Sequence, residues 1–421
     1  MTPPLRIALT LGIFATTVVL VVWKPRGLHE AWSACGGAAL ALLLGLVSPT
    51  EAVAVAVEGR SVLLFLLALL TLAALIDASG FFGWAAMHAA RSARGRVSWL
   101  FRNIFVLGSV VTFVLSLDTT AVLLTPLVIA FCKRLDLKPA PWVIACAMVS
   151  NAASLALPIS NLTNLLLLEH FHVPVATYVL RMALPQLVVL VATFTLLRLY
   201  FRQELAGVFA TTQVDAPQSY VTHQRYFVAS VVTLVSTFVL LSAAPSLHLA
   251  PYGVAFGACA VLGAYGLYTK RVSWAMARRI PVRLVPFALG LFVLVRAVEN
   301  LGLSRSVESV LKSAPFPGVS YTFAAAAAAN LTNNLPATLL LEGVLSHDSD
   351  EAVLATLIGV DVGPNIVPFA SLATMLVLAT AEAGGARVSG RQFLRVGLLT
   401  TPIVLVLGAL ALAFTYAVIP R

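Results

Sequence analysis

Asn330-Leu331-Thr332-Asn333-Asn334-Leu335-Pro336 interrupts an apolar run that enters through Ala324 to Ala329 and leaves through Leu339, Leu340 and Leu341. Amides, a hydroxyl and a proline at membrane depth leave backbone N–H and C=O groups without partners in hydrocarbon, so such breaks persist only where they line a cavity. This break is not alone. Ser116-Leu117-Asp118-Thr119-Thr120 is its counterpart in the first half. A second kind of break also occurs twice. Asn151-Ala152-Ala153-Ser154 runs through Pro158 to Ser160-Asn161-Leu162-Thr163-Asn164, and Asp361-Val362-Gly363-Pro364-Asn365 runs through Pro368 to Ser371. Polar breaks duplicated along one chain point to a transporter's binding site.

The surrounding composition says what solvent these breaks sit in. Over 421 residues the chain is 60% hydrophobic and 10% charged, with a mean hydropathy of +0.96. A soluble protein carries about 25% charged residues, so this is a polytopic membrane protein. The first apolar stretch, Ile7 to Val22, lacks a small-residue cleavage site and is expected to be a span. Cys35, Cys132, Cys146 and Cys259 have no paired spacing and are expected to be packing residues, without a metal or a disulfide.

Stretches of about 20 apolar residues, the length that spans a bilayer, fall near 6–23, 29–48, 60–85, 140–168, 177–199, 226–243, 252–269, 283–303, 351–381 and 393–416. These make ten transmembrane helices. Regions 99–133 and 318–346 are apolar on both sides of a polar turn and are read as two re-entrant hairpins. Counting each hairpin as one crossing gives twelve spans, and as two crossings gives fourteen. With both termini outside, 20 of the 27 Lys and Arg collect at the inner ends, in clusters such as Arg91-Arg94-Arg96 and Lys133-Arg134-Lys138. Twelve spans would move the second cluster outside, so the positive-inside bias favours ten. The formal charge of +10 is thereby explained by insertion, and no nucleic-acid partner is expected.

The breaks align between halves. At an offset of 210, Asn151 falls on Asp361, Pro158 on Pro368, Asn161 on Ser371 and Leu162 on Leu372; at 222, Ile76-Asp77 and Gly80 fall on Val298-Glu299 and Gly302. Five spans per half make the second copy enter upside down, the inverted repeat of many secondary transporters. Residues 1–200 are expected to form the first repeat, 201–225 a cytoplasmic linker, and 226–421 the second repeat. Single Asn, Thr or Ser residues in apolar helices often only bond between helices; four clusters with prolines at corresponding positions weaken that reading here.

The stretch Leu117 to Pro126, the motif Asn151 to Asn164 and the motif Asn330 to Pro336 resemble the bacterial arsenite efflux permease family of arsenical pump membrane proteins, within the ion transporter superfamily. The resemblance covers nearly the whole chain. It implies a scaffold domain, a mobile transport domain with two opposed hairpins, and a bacterial inner-membrane location. It further implies extrusion of arsenite and antimonite driven by the proton gradient, or by a partner cytoplasmic arsenite-stimulated ATPase in some bacteria. No cofactor is implied.

Trivalent arsenic in neutral water is mostly the uncharged trihydroxide, which donates and accepts hydrogen bonds. Amides and hydroxyls do both. The expected substrate ligands are Asp118, Thr119, Thr120, Asn151, Ser154, Asn161, Asn164, Thr332, Asn333, Asn334, Asn365 and Ser371. Proton coupling needs a titrating group, and an intramembrane carboxylate is the default candidate. Asp118 and Asp361 qualify first because they stand at breaks; Asp77 and Glu299 follow, although Glu299 is three residues from Arg296 and suits a structural ion pair. His170 and His172 are expected to be solvated. A sodium/proton antiporter on the same scaffold is the alternative, with Asp118 and Asp361 as cation ligands. A dicarboxylate symporter is disfavoured by acidic groups at two breaks. An enzyme is disfavoured by the absence of a catalytic His pairing, zinc-ligand spacing or a phosphate-cradling loop.

Overall fold

The computed structural model describes residues 2–23, 28–244, 247, 249–273, 282–302, 309–345 and 349–419. Lys24, Arg26, Arg278, Arg279, Arg305 and Arg421, which enter the charge-bias reading, lie outside them. Among the described residues the chain is helical, with an isolated bridge from Arg96 to Val208 as its one extended pairing. The first half contains α1 (Pro3–Trp23), α2 (Glu30–Leu43), α3 (Pro49–Glu58), α4 (Arg60–Asp77), α5 (Phe81–Ser92), α6 (Val97–Val114) and α7 (Leu117–Thr119). A π-helical turn, Thr120–Leu124, continues α7 into α8 (Thr125–Arg134), followed by α9 (Ala140–Ala152), α10 (Leu162–His170) and α11 (Val175–Tyr200). The second half contains α12 (Gln224–Ala243), α13 (Pro251–Tyr268), α14 (Leu284–Glu299), α15 (Pro317–Thr332), α16 (Asn334–Glu342), α17 (Asp350–Val362), α18 (Leu372–Ala383) and α19 (Gly390–Val418).

Among the described residues, six helices are long and apolar enough to cross a membrane: α1, α4, α6, α11, α12 and α19. Of the other expected spans, 252–269 is the uninterrupted 18-residue α13, and the rest are shorter or interrupted. The stretch 140–168 is two helices, α9 and α10, and 351–381 is α17 and α18. The stretch 60–85 ends its helix at Asp77, because Gly80 adopts φ +85°. A β-carbon at Gly80 would stand 1.7 Å from the Tyr220 carbonyl oxygen, so only glycine admits this approach. Val228, Val232, Val235 and Val239 recur at helical spacing along α12 and are 49–57% exposed, a face that suits hydrocarbon better than water.

Helices pack in two groups. In one, α2 lies on α14, α4 on α13, α1 on α2 and α12 on α13. In the other, α11 lies on α19, α15 on α17, and α6 and α18 on α9. Separate apolar cores follow: Phe14, Ala34, Phe287 and Leu291 in the first group, with Phe101, Trp142, Val377 and Phe393, then Tyr178, Ala325, Leu354 and Leu412, in the second.

The segment expected as a plain linker is folded onto the bundle. Phe201, Leu205, Phe209 and Val214 join the core around α6 and α9. Backbone bonds tie Val97 N–H to Gly207 O at 3.0 Å, Phe209 N–H to Gly95 O at 2.8 Å and Thr222 N–H to Ser79 O at 3.2 Å. At its middle, Asp215 accepts both guanidinium nitrogens of Arg134, which ends α8. That partner holds the Asp215 carboxyl below its usual range. A depressed value means the contact contributes above about pH 4, the ordinary aspartate value, and is lost as pH falls through the lower folded value. Asp215→Asn should therefore reproduce at neutral pH what acid does: chymotrypsin cleavage between Arg202 and Arg225, at Leu205, Phe209 or Tyr220, accelerates several-fold. An unchanged cleavage rate would leave the strap to its backbone bonds alone.

Candidate functional site

Both polar turns close helical hairpins. In the first, α6 stops at Leu115, and Ser116 caps α7 by accepting the Thr119 N–H at 3.3 Å. In the second, Asn333 joins α15 to α16 at φ 87°, ψ 154°, a region that costs about 1–3 kcal/mol for a residue with a side chain. Asn333 is held there by its own N–H to Ala329 O at 2.9 Å and by its side-chain amide to Phe369 O at 2.9 Å.

The two remaining breaks unwind helices. Prolines disfavour helix in the residue before them, and Leu157, before Pro158, is extended at φ −119°, ψ 136°. Short 3-10 turns, Pro158–Ser160 and Gly363–Asn365, follow each helix end. Asn161 and Ser371, matched by the sequence offset, are both extended, at φ −146° and −136°, and open α10 and α18.

Every freed backbone group needs a partner, and buried side chains supply many. In the first break, the Gln186 carbonyl accepts from Leu155 N–H at 2.8 Å and Ala156 N–H at 3.0 Å, and its amide donates to Ala152 O at 2.7 Å. Tyr178 donates its hydroxyl to Leu155 O. In the second, Asn330 donates to Gly363 O at 2.8 Å and accepts from Val367 N–H at 3.1 Å, while Asn334 N–H donates to Ala370 O at 2.8 Å.

Asp361 cross-links the two breaks. Its carboxylate accepts from Asn161 Nδ2 at 2.8 Å, the Thr163 hydroxyl at 2.6 Å and the Ser154 hydroxyl at 3.4 Å. Beside it, Asn151 donates to Asn365 Oδ1 at 2.9 Å and to the Thr374 hydroxyl at 3.0 Å, and accepts from the Ser371 hydroxyl at 2.9 Å. The carboxylate expected to couple protons in the second half is thus a hub of the resting structure.

Asp118 is different. It is 8% exposed, has no hydrogen-bond or ion-pair partner among the described residues, and lines a cavity of about 40 Å³. Asn161, Thr163, Asn333 and Asn334 complete the polar wall, with Leu66, Phe287 and Leu335 among the apolar lining. Asn333 Oδ1 is buried without a partner, and so is Asn164 Oδ1 just behind. A buried unpartnered acceptor costs about 1–3 kcal/mol. The Asp118 carboxyl and Asn333 Oδ1 are acceptors, so this part of the site suits a ligand that brings O–H donors or protons. At roughly 10–15 Å³ per water-sized group, it fits a solute of a few non-hydrogen atoms.

Of the expected ligands, the cavity collects Asp118, Asn161, Asn333 and Asn334. Asn151, Ser154, Asn164, Asn365 and Ser371 form the network behind it. Thr119 and Thr120 bond within the first hairpin, to Ser116 and to Thr112, and Thr332 donates to Ala328 O. Asp77 ends α4, eleven residues and about 16 Å of helix rise beyond the cavity-lining Leu66. Glu299 sits 3.4 Å from Arg296 in a separate, larger chamber. No cysteine lines the cavity, and no group of His, Cys, Asp and Glu among the described residues could hold a metal. Gln186, Tyr178, Thr163 and Thr374 escaped the sequence reading. Thr163 lay inside a quoted motif and Gln186 followed Pro185 in an apolar stretch, which are usable signals; Tyr178 and Thr374 carried none.

A family model described as arsenical pump membrane protein matches residues 9–415. The arsenical pump membrane protein of Escherichia coli (strain K12) is 32% identical over 433 residues, covering 96% of this chain and 98% of its own. That of Yersinia enterocolitica is 31% identical over 436 residues, covering 97% and 98%. Among solved structures, the YdaH transporter of Alcanivorax borkumensis superposes with a TM-score of 0.61 at 17% identity, covering 99% of this chain and 98% of its own. MtrF of Neisseria gonorrhoeae, assigned to a class of antimetabolite efflux pumps, gives 0.57 at 14%, covering 98% and 94%. The last two share the fold.

Proposed function

We propose, since this chain belongs to the family of arsenical pump membrane proteins, that it exports arsenite and antimonite from the bacterial cytoplasm in exchange for protons. The chain is a multi-pass membrane transporter and not an enzyme. The observation that carries the finer reading is the unpaired acceptor set at the small cavity, with Asp118 foremost. Trivalent arsenic and antimony trihydroxides bring three O–H donors and no charge, which suits acceptor oxygens and amides. Asp118 can hold either the exchanged proton or a hydrogen bond from the substrate hydroxyl, and competition between the two couples their movements.

The packing groups support a division of labour. Hairpins, unwound helices, α11 and α19 form the moving transport domain, and α1 to α4 with α12 to α14 form the scaffold. Matching α2 with α13 and α4 with α14 exchanges the pairs α2·α14 and α4·α13, as an inverted repeat requires. A sodium/proton antiporter would use Asp118 and Asp361 together as cation ligands, but both oxygens of Asp361 already accept from protein donors.

Inverted membrane vesicles with an acidic lumen should take up arsenite and antimonite, and the uptake should collapse when the pH gradient is dissipated. Uptake indifferent to the gradient would end the exchange reading. Sodium-dependent pH changes without arsenite would favour the antiporter.

A further inference from the structure

A second cavity, far larger than the substrate site, lies beside it. It is a chamber of about 750 Å³ whose wall carries Glu58, Glu169, Glu299 and Glu342 against Arg296, with His170 and His172. Its floor and the roof of the substrate cavity are successive turns of the same three helices. Val62, Leu166 and Leu339 face the chamber; Leu66, Leu162 and Leu335 line the cavity. Each pair is four residues apart, so one apolar turn of about 6 Å separates the two spaces.

Two short helices connect them end to end. α10 starts at the cavity with Asn161 and Thr163 and finishes at His170; α16 starts there with Asn333 and Asn334 and finishes at Glu342. At the chamber end, His170 Nδ1 lies 2.7 Å from Glu342 Oε1. The groups around this pair are Glu58 on α3, Arg296 and Glu299 on α14, and Glu169 and His172 along its own strand of chain. Arg296 holds Glu58 at 3.3 Å and Glu299 at 3.4 Å. The remaining charge is negative, and a cleft lined by one sign of charge concentrates the opposite ion several-fold. His170 is the group whose ordinary titration lies near neutral pH, and its side chain is 44% exposed to the chamber.

We infer that this chamber is the proton-loading port of the exchanger, with the His170–Glu342 pair as the site where a proton is held about two helical turns from the substrate cavity. The inference rests on the exchange reading above. It places the port on the side that the basic-residue bias assigns to the outside. The acidic wall also disfavours anions at the same mouth, so a neutral trihydroxide leaves through it while phosphate or arsenate does not enter.

The test is arsenite uptake into inverted vesicles with lumen pH varied at fixed bath pH. His170→Gln and Glu342→Gln should each lower the half-activating lumen pH by about one unit, a tenfold higher proton demand, with arsenite KM and the maximal rate at saturating acidity within twofold of the unsubstituted protein. That retained rate reports correct folding, and Glu58→Gln, at a more exposed wall position, should give a smaller shift in the same direction. Unchanged midpoints in both main variants would overturn the port. A midpoint set by bath pH would overturn it too, while leaving exchange intact. No dependence on either pH in the unsubstituted protein would remove the exchange reading and the port together.

Discussion

Asp118→Asn is expected to abolish pH-driven arsenite uptake into inverted vesicles while leaving expression and thermal stability in detergent unchanged. The first half of that expectation follows from the position of the carboxylate. It stands at the tip of the first hairpin, lines the small cavity, and has no partner among the described residues to fix its protonation state. The amide keeps the shape and can still bond a hydroxyl, but it cannot release a proton. Removing a proton-transferring group typically costs about 10²–10⁴-fold in rate, enough to bring uptake to the level of vesicles lacking the protein. The second half follows from the same lack of partners, since no hydrogen bond in the resting structure is lost. Full transport by this variant would take Asp118 out of the coupling role.

Asp361→Ala should do the reverse, failing first as a folded protein. Its carboxylate is 1% exposed and accepts from Asn161, Thr163 and Ser154. Truncation takes the acceptor from Asn161 and Thr163, at about 1–3 kcal/mol each, while Ser154 keeps its bond to Asn151 O at 2.7 Å. The sum reaches the lower end of the roughly 5–15 kcal/mol that separates a typical folded protein from its unfolded chain. A low yield and early aggregation on size-exclusion chromatography in detergent are expected. Asp361→Asn, which retains one acceptor oxygen, should recover part of the yield. If Asp361→Ala melts like the unsubstituted protein, the cross-link between the two unwound helices contributes nothing to stability. The two variants together separate a carboxylate that works on the cargo from one that holds the site's walls.

The polar breaks were legible as breaks because proline, glycine and clustered amides inside apolar runs leave few other readings. Helix ends at Ala152 and Val362, and the hairpin turns at Ser116 and Asn333, fall where those residues stand. Their division of roles was not legible. Thr119, Thr120 and Thr332 have the same chemistry as Thr163, yet only Thr163 reaches the cavity wall, because α10 turns its first face inward while the hairpin threonines bond back to their own arms. The linker is a similar case. Residues 201–225 read only as a linker between repeats, but Phe201, Leu205, Phe209 and Val214 pack it onto α6 and α9.

What the sequence determined by itself is the solvent, the helical class, the places where helices must break, and the family. These are local properties: hydropathy over a span's length, backbone geometry at proline and glycine, and motifs a few residues long. Only the tertiary structure decided which carboxylate is satisfied and which is not. Asp118 and Asp361 look equivalent along the chain, each beside small polar residues at a break. Their difference comes from donors about 200 residues away, Asn161, Thr163 and Ser154, that reach Asp361 and not Asp118. Hydrogen bonds between distant segments depend on how the helices meet, and no local pattern records that.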